Sequence, residues 1–294
     1  MGGTLEDLAE LKRRCTEENC AFAIHAGDFC HSPHKSAAFL AAYHSFPVPA
    51  YHCLGNHDAD GTPYEQVLPL YRMEKDYYFF DADGLRIVVL NANYLLRNGN
   101  YVNYSLFNYY KHPDCRDYLP PEQLRWLEET LFSSPHPCIL LCHESFERPD
   151  GVRNREEVLS LIRRANERRP CTVIACFNGH YHRDHHRLID GVLFCEINSA
   201  SYDWLPEAHQ CYPKELEEQH ELVNHTIVYD RPLSAVVTWE DRRLCIDGTQ
   251  GDYLFGISWQ ETGNSPLDGA GRALSPCIRS FCVDYSTGKG ILVP

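Results

Sequence analysis

No two cysteines in this chain stand in a Cys-x2-Cys pair, so the usual signature of a structural zinc site is missing. No apolar stretch reaches the roughly 20 residues that a membrane-crossing helix needs. Residues 4–20 are charged and amphipathic and contain no apolar signal-peptide core, which leads us to expect a cytoplasmic location. Basic side chains are scarce: 27 Lys and Arg face 41 Asp and Glu, a formal net charge of -14. Such an acidic body repels nucleic-acid backbones, so no nucleic-acid binding is expected, and no membrane partner either. An anionic substrate would need a local positive charge, and bound cations supply one. Repeats and low-complexity linkers are also absent.

Cysteine itself is plentiful, at 14 residues. Many lie inside apolar runs, as Cys138 and Cys142 do, where a thiol behaves as a small core hydrophobe. The expectation is reduced, mostly buried thiols. The 294 residues allow one large domain or one domain with a sizeable appendage.

Leucines 5, 8 and 11, with charges between them, predict a surface helix over residues 4–20, with Thr4 as N-cap and Asp7 completing a capping box. The apolar run 21–26 then ends at Gly27-Asp28, and the run 48–54 ends at Gly55-Asn56-His57-Asp58. Residues 36–45 between them can be helical. Residues 77–81 and 85–91 read as paired strands. Residues 120–132 form a strong helix, with proline in its first turn and Leu124, Leu127 and Leu131 on one face. A buried strand over 138–142 ends at His143, a helix spans 155–167, and a strand over 172–177 leads into Asn178-Gly179-His180. The tyrosine-rich segment 94–118 reads as a long loop, either shaping a substrate site or packed down by its own rings. From about residue 205 the pattern turns to short alternating segments. The division expected is a core over residues 1–204 and a β-rich extension over 205–294 packed on it.

Four polar clusters thus stand at strand carboxyl ends: Asp28, Asn56-His57-Asp58, His143 and His180-Tyr181-His182. Each is weak alone. In an open α/β architecture, however, strand carboxyl ends share one rim, so the four can converge on one pocket. Imidazoles and carboxylates without thiolates suit Mn, Fe or Zn, and a carboxylate that bridges two ions beside histidines is a two-metal hydrolytic set.

GDFCH, GNHD, the strand-terminal His143 and GHYH, in this order, resemble the calcineurin-like metallophosphoesterase superfamily over roughly residues 5–200, and more loosely its branch of bacterial phosphohydrolases related to class III cyclic-nucleotide phosphodiesterases. The resemblance implies an α/β fold, a β-sandwich flanked by helices in α-β-β-α layers. It implies two divalent or mixed-valence ions (Mn, Fe or Zn), no organic cofactor, and a small phosphorylated substrate, with nucleotides among the candidates. Asp28 would bridge the ions, Asn56, His143 and His180 would complete the second site, and His182 would belong to the first. The implied reaction is in-line attack of a metal-bound hydroxide on a phosphate mono- or diester. His57 would protonate the leaving oxygen and Asp58 would orient its ring, while His31 would line the site.

The family also carries an Asp-x-His block on a strand ahead of the first helix. The expectation is that the block lies upstream of Met1, with a family member that has lost its first site as the alternative, and that its absence leaves a sheet edge exposed; Asp184-His185-His186 ends no apolar strand and reads as accidental. Glu144 reads as a hydrogen-bond acceptor behind a ligand histidine or, with more weight, as a solvent-facing loop acid. Against the hydrolase stand a catalytically impaired scaffold holding one ion or none, and a single-zinc enzyme using the second site alone. The intact Asn56-His57-Asp58 favours catalysis.

Overall fold

A computed structural model describes residues 3–33, 35–220 and 222–293. Helix α1 (Leu5–Glu17) begins as its sequence dictates: Thr4 Oγ1 accepts from Asp7 N, and Thr4 N donates to the Asp7 carboxylate. It leads into β1 (Ala23–His25), α2 (Ala37–Tyr43) and β2 (Ala50–His52), with β1 and β2 pairing in parallel. Among the described residues β1 pairs only with β2, so its other edge carries no strand, and its residues are half-buried. Helix α3 (Tyr64–Leu70), with Pro69 inside it, had no clear periodicity in the sequence.

The central sheet has six strands. Strands β3 (Tyr78–Ala82) and β4 (Leu85–Val89) form a hairpin; β5 (Tyr94–Arg97) and β6 (Asn100–Asn103) form a separate one inside the segment expected to be loop. After α4 (Pro121–Ser133) come β7 (Cys138–Leu141), α5 (Arg155–Arg168), β8 (Val173–Asn178), β9 (His185–Ile189) and β10 (Val192–Glu196). The order is β3-β4-β7-β8-β10-β9, with β4, β7, β8 and β10 parallel and the outer strands antiparallel.

The inner strands are buried on both faces, and their alternation assigns each side chain to a layer. Val88, Leu140, Cys176 and Phe194 face α4 and α5, meeting Leu124, Leu127, Leu131, Leu161 and Ile162. Ile87, Val89, Leu141, Phe177 and Leu193 face the opposite layer, meeting Phe22, Ile24, Leu244, Ile246 and Val283. That layer combines β1 with a C-terminal antiparallel sheet.

The C-terminal part contains a short pair, β11 (Tyr202–Trp204) with β12 (Thr226–Val228), then β13 (Ala235–Glu240), β14 (Arg243–Gly248), β15 (Phe281–Asp284) and β16 (Ile291–Val293) in one four-stranded sheet. Short helices α6 (Lys214–Gln219) and α7 (Trp259–Thr262) interrupt it. Tyr285 Oη donates to the carbonyl of Ile174 in β8 at 2.6 Å, tying the second sheet to the first. The Arg14 guanidinium, from α1, bonds Ser234 and Asp247, which places that helix over the C-terminal sheet. Helices, two β-layers and a further helix give the α-β-β-α order, with additional antiparallel strands at the C-terminus. One expectation needs correcting: Cys245 and Cys282 sit directly opposite in β14 and β15 and are joined as a disulfide. The other 12 cysteines are free, most of them buried. No described helix is long and apolar enough to cross a membrane.

Candidate metal centre

Strands β1, β2, β7 and β8 deliver their carboxyl ends to one place. Asp28 Oδ2 lies 3.0 Å from His143 Nε2, and His143 Nε2 lies 3.2 Å from Asn56 Oδ1. His180 Nδ1 lies 2.9 Å from the same Asn56 oxygen and 3.2 Å from His143 Nε2. Asp28, His143 and His180 each offer a ligand atom within 4.8 Å of the others.

The convergence depends on three glycines. A Cβ on Gly27 would fall 2.2 Å from Nδ1 of His143, one on Gly55 would fall 2.2 Å from Oδ1 of Asp28, and one on Gly179 would fall 2.9 Å from the Ala26 carbonyl. Asp28, His180 and His182 have φ of 53°, 67° and 53°. Left-handed backbone at non-glycine residues costs about 1–3 kcal/mol each and gathers at functional sites.

His143 Nδ1 donates to the Ala26 carbonyl at 2.6 Å, which leaves Nε2 as a lone pair aimed at Asp28 and Asn56. Lone pairs from an imidazole, a carboxylate and an amide oxygen then meet, an arrangement that only a cation or a proton satisfies. Burial alone would lower the His143 pKa, but the Asp28 carboxylate overrides it and raises it to about 10. Asp28 runs the other way: burial would raise it, and His143 and His57 hold it well below the ordinary carboxylate value. Burial, then the His143 charge, pushes His180 down to about 3, keeping it a neutral donor. The donor set therefore fits a borderline divalent ion.

His182 stands apart from this cluster. Its Nδ1 donates to the Tyr202 carbonyl at 2.9 Å, and burial holds its pKa down to about 4, leaving Nε2 unprotonated. The turn bearing His180 and His182 is clamped. Arg148 lies 3.9 Å over the Tyr181 ring and bonds Asp150 and Asp268, and buried Arg183 bonds the carbonyls of Tyr181 and His182 and pairs with Asp203. The C-terminal part thus contributes Asp268 to the support of this turn. No spacing in the sequence pointed to these partners.

The surroundings of His57 differ from expectation. Asp58 does not touch the His57 ring. It is buried and accepts from the backbone N–H of Asp28, Cys30 and Gly55 and from Tyr71 Oη at 2.5 Å, bracing two loops; burial and Asp28 raise it to about 6. Asp60 takes the orienting place, with Oδ2 2.6 Å from His57 Nδ1. Tyr109 Oη sits 3.1 Å from the same nitrogen and accepts from Asn56 Nδ2 at 3.0 Å, linking the ring to the cluster. Burial works against a charged His57, but Asp28 and Asp60 raise its pKa. His31 stands at the mouth, its side chain 46% exposed, 3.7 Å from Asp60 and 4.6 Å ring to ring from His57. Asp60 was legible only as the acid three residues beyond a histidine, and Tyr109 as one ring among many.

Glu144 corrects the expectation of a solvent-facing acid. It is 1% exposed, Oε1 has no partner among the described residues, and burial first, with Asp117 adding to it, raises it to about 8 against the opposing pull of His143. Asp184 bonds Arg279 on the C-terminal part and, among the described residues, stands outside the Asp28–His143–His180 group.

Converging imidazole, carboxylate and amide donors on this layered fold suit a divalent ion, and comparison with known proteins gives the family. The family model of calcineurin-like phosphoesterases matches residues 1–184, and the chain belongs to that family. A manganese-dependent ADP-ribose/CDP-alcohol diphosphatase of Arabidopsis thaliana is 24% identical over 241 residues, covering 64% of this chain and 76% of the relative. A dimetal phosphatase of Danio rerio superposes with a TM-score of 0.55 at 14% identity, covering 83% of this chain and 85% of that one.

Proposed function

We propose that this chain hydrolyses small phosphate esters or anhydrides at a dinuclear centre, with Asp28, Asn56, His143 and His180 holding one ion. Asp28 would also serve the second ion, together with His182. Manganese is the proposed metal, and a nucleoside diphosphate derivative the proposed substrate, after the diphosphatase relative. Such ions, when bound, lower the pKa of water and offset charge on the phosphoryl group.

His57 is the proton donor. Water adds to phosphorus, the bond to the leaving oxygen breaks with its electron pair on that oxygen, and His57 supplies the proton. Water's own proton then restores the imidazolium. Asp60 and Tyr109 hold Nδ1, which leaves Nε2 to face the leaving group. The observation that carries this reading is His57 beside four converging metal-type donors: its backbone N–H bonds Asp28 Oδ1 at 2.8 Å. A scaffold has no use for a donor held by both an acid and a phenol.

The test is turnover of p-nitrophenyl phosphate, its bis ester and ADP-ribose by Mn²⁺-loaded protein, with and without chelator. Chelator-sensitive cleavage of at least one supports the reading. Cleavage of none contradicts it and favours the scaffold.

A further inference from the structure

The tyrosine-rich segment is not used up by the chemistry above. Three of its rings form a column: Tyr104 stacks on Tyr109 at 4.7 Å and 20°, and Tyr109 stacks on Tyr110 at 4.3 Å and 28°. The inner two are buried, while Tyr110 is 54% exposed. The column therefore starts in the protein and ends at its surface. Phe107, 50% exposed, lies 6.1 Å from Tyr110, and exposed Leu106 adjoins it.

The backbone is set to present this patch. Leu106 and Phe107 are consecutive left-handed residues, with φ of 48° and 61°. For bulky side chains that conformation is costly. Leu106 N bonds the Ala59 carbonyl, in the loop that carries His57, and Asn108 closes the turn by bonding Ser105 and Asn103. Strain that exposes apolar side chains does nothing for the fold.

The patch is continuous with the candidate centre. Tyr110 lies 6.4 Å from the His57 ring. Its phenol is raised by partial burial and by the Asp60 and Asp28 charges, against a lowering hydrogen bond from Tyr109. On the hydrolase reading it flanks the ring that would protonate the leaving oxygen. A fourth flat ring on Tyr110 would continue a stack already three rings deep.

We infer that Tyr110 and Phe107 form a stacking platform for an aromatic ring, a nucleobase, carried by the phosphorylated substrate. This rests on the hydrolase reading for the direction of the leaving group but not for binding itself. The discriminating ligands are AMP and ribose 5-phosphate, which share a phosphate and a sugar and differ by the base. Calorimetry on Mn²⁺-loaded protein should show AMP binding on the order of tenfold or more tighter, as one base–aromatic stack provides. Tyr110→Ala and Phe107→Asn should each shrink that ratio toward one, while Tyr110→Phe keeps it; asparagine at 107 tolerates the left-handed backbone. Equal affinity for the two ligands in the unmodified protein overturns the inference. So does a ratio unmoved by Tyr110→Ala, or sedimentation showing that the patch is covered by a second copy of the chain. Discrimination by a protein that cleaves no phosphate ester would leave the platform standing and remove only the hydrolase reading.

Discussion

Nδ1 of His57 lies 2.6 Å from Oδ2 of Asp60, three residues further along the same loop. The neighbouring acid, Asp58, points the other way and accepts three backbone N–H groups. Two carboxylates in one short loop therefore divide orientation of the His57 ring, the proposed proton donor, from bracing of the backbone.

Asp60→Asn should lower turnover by roughly tenfold to a hundredfold, a part of what general acid catalysis supplies, with metal content kept. Asp60 raises the His57 pKa, so its loss lowers that pKa. The protonated donor then disappears at lower pH, and the alkaline limb of the kcat/KM profile should move down in pH. An unmoved limb would remove Asp60 from the donor's environment.

Tyr71→Phe removes the phenol that bonds the buried Asp58. Asp58 keeps its three backbone donors, so the loss is that of one hydrogen bond to a carboxylate, about 1.5–3 kcal/mol, which urea unfolding should report at neutral pH. The effect belongs to stability, so turnover of the folded fraction should change less than in Asp60→Asn.

Gly55→Ala places a Cβ 2.2 Å from Oδ1 of Asp28 and 2.3 Å from its backbone nitrogen. The side chain that both proposed ions share has to move. Metal affinity should fall sharply, measured against Gly269→Ala, whose Cβ meets nothing within 4 Å.

Acid sensitivity should follow the buried imidazoles. His25 Nδ1 accepts from Gly27 N, its Nε2 meets His52 Nδ1 at 2.7 Å, and His52 Nε2 meets His44 at 2.8 Å. Burial, then the His143 charge, pushes His25 down to about 3, whereas an unfolded histidine titrates near about 6.5. The folded value is depressed, so the associated stability is complete above about pH 6.5 and is lost as pH falls from there toward 3. His180 and His182 are depressed in the same sense. His25→Phe should reduce the slope of unfolding free energy against pH between 7.5 and 5 by the equivalent of about one proton at most. A slope equal to that of the unmodified protein would contradict the assignment.

Much of this was legible because each key residue follows an apolar run. Asp28, Asn56, His143 and His180 end strands whose burial the sequence shows, and parallel strands put their ends together. What was hidden depends on side-chain direction or on pairing across the chain. Whether His57 turns to Asp58 or Asp60 is decided by backbone N–H groups that claim Asp58 first. Glu144 looked like a loop acid because nothing in the sequence shows that the residue after a strand stays buried. The hairpin β5–β6 was masked by its polar residues, and the Cys245–Cys282 bond depends on the register of β14 against β15. The arginines that clamp the His180–His182 turn reach acids at positions 203 and 268, beyond any local pattern.

The measurement that bears most directly on the whole account is Mn²⁺ binding by equilibrium dialysis, made on the unmodified chain, Asp28→Ala and His57→Ala and paired with turnover. Asp28→Ala should lose the ions and the activity together. His57→Ala should keep the ions and lose turnover by about 10²–10⁴. An Asp28→Ala protein that still binds Mn²⁺ as tightly as the unmodified chain would contradict the account.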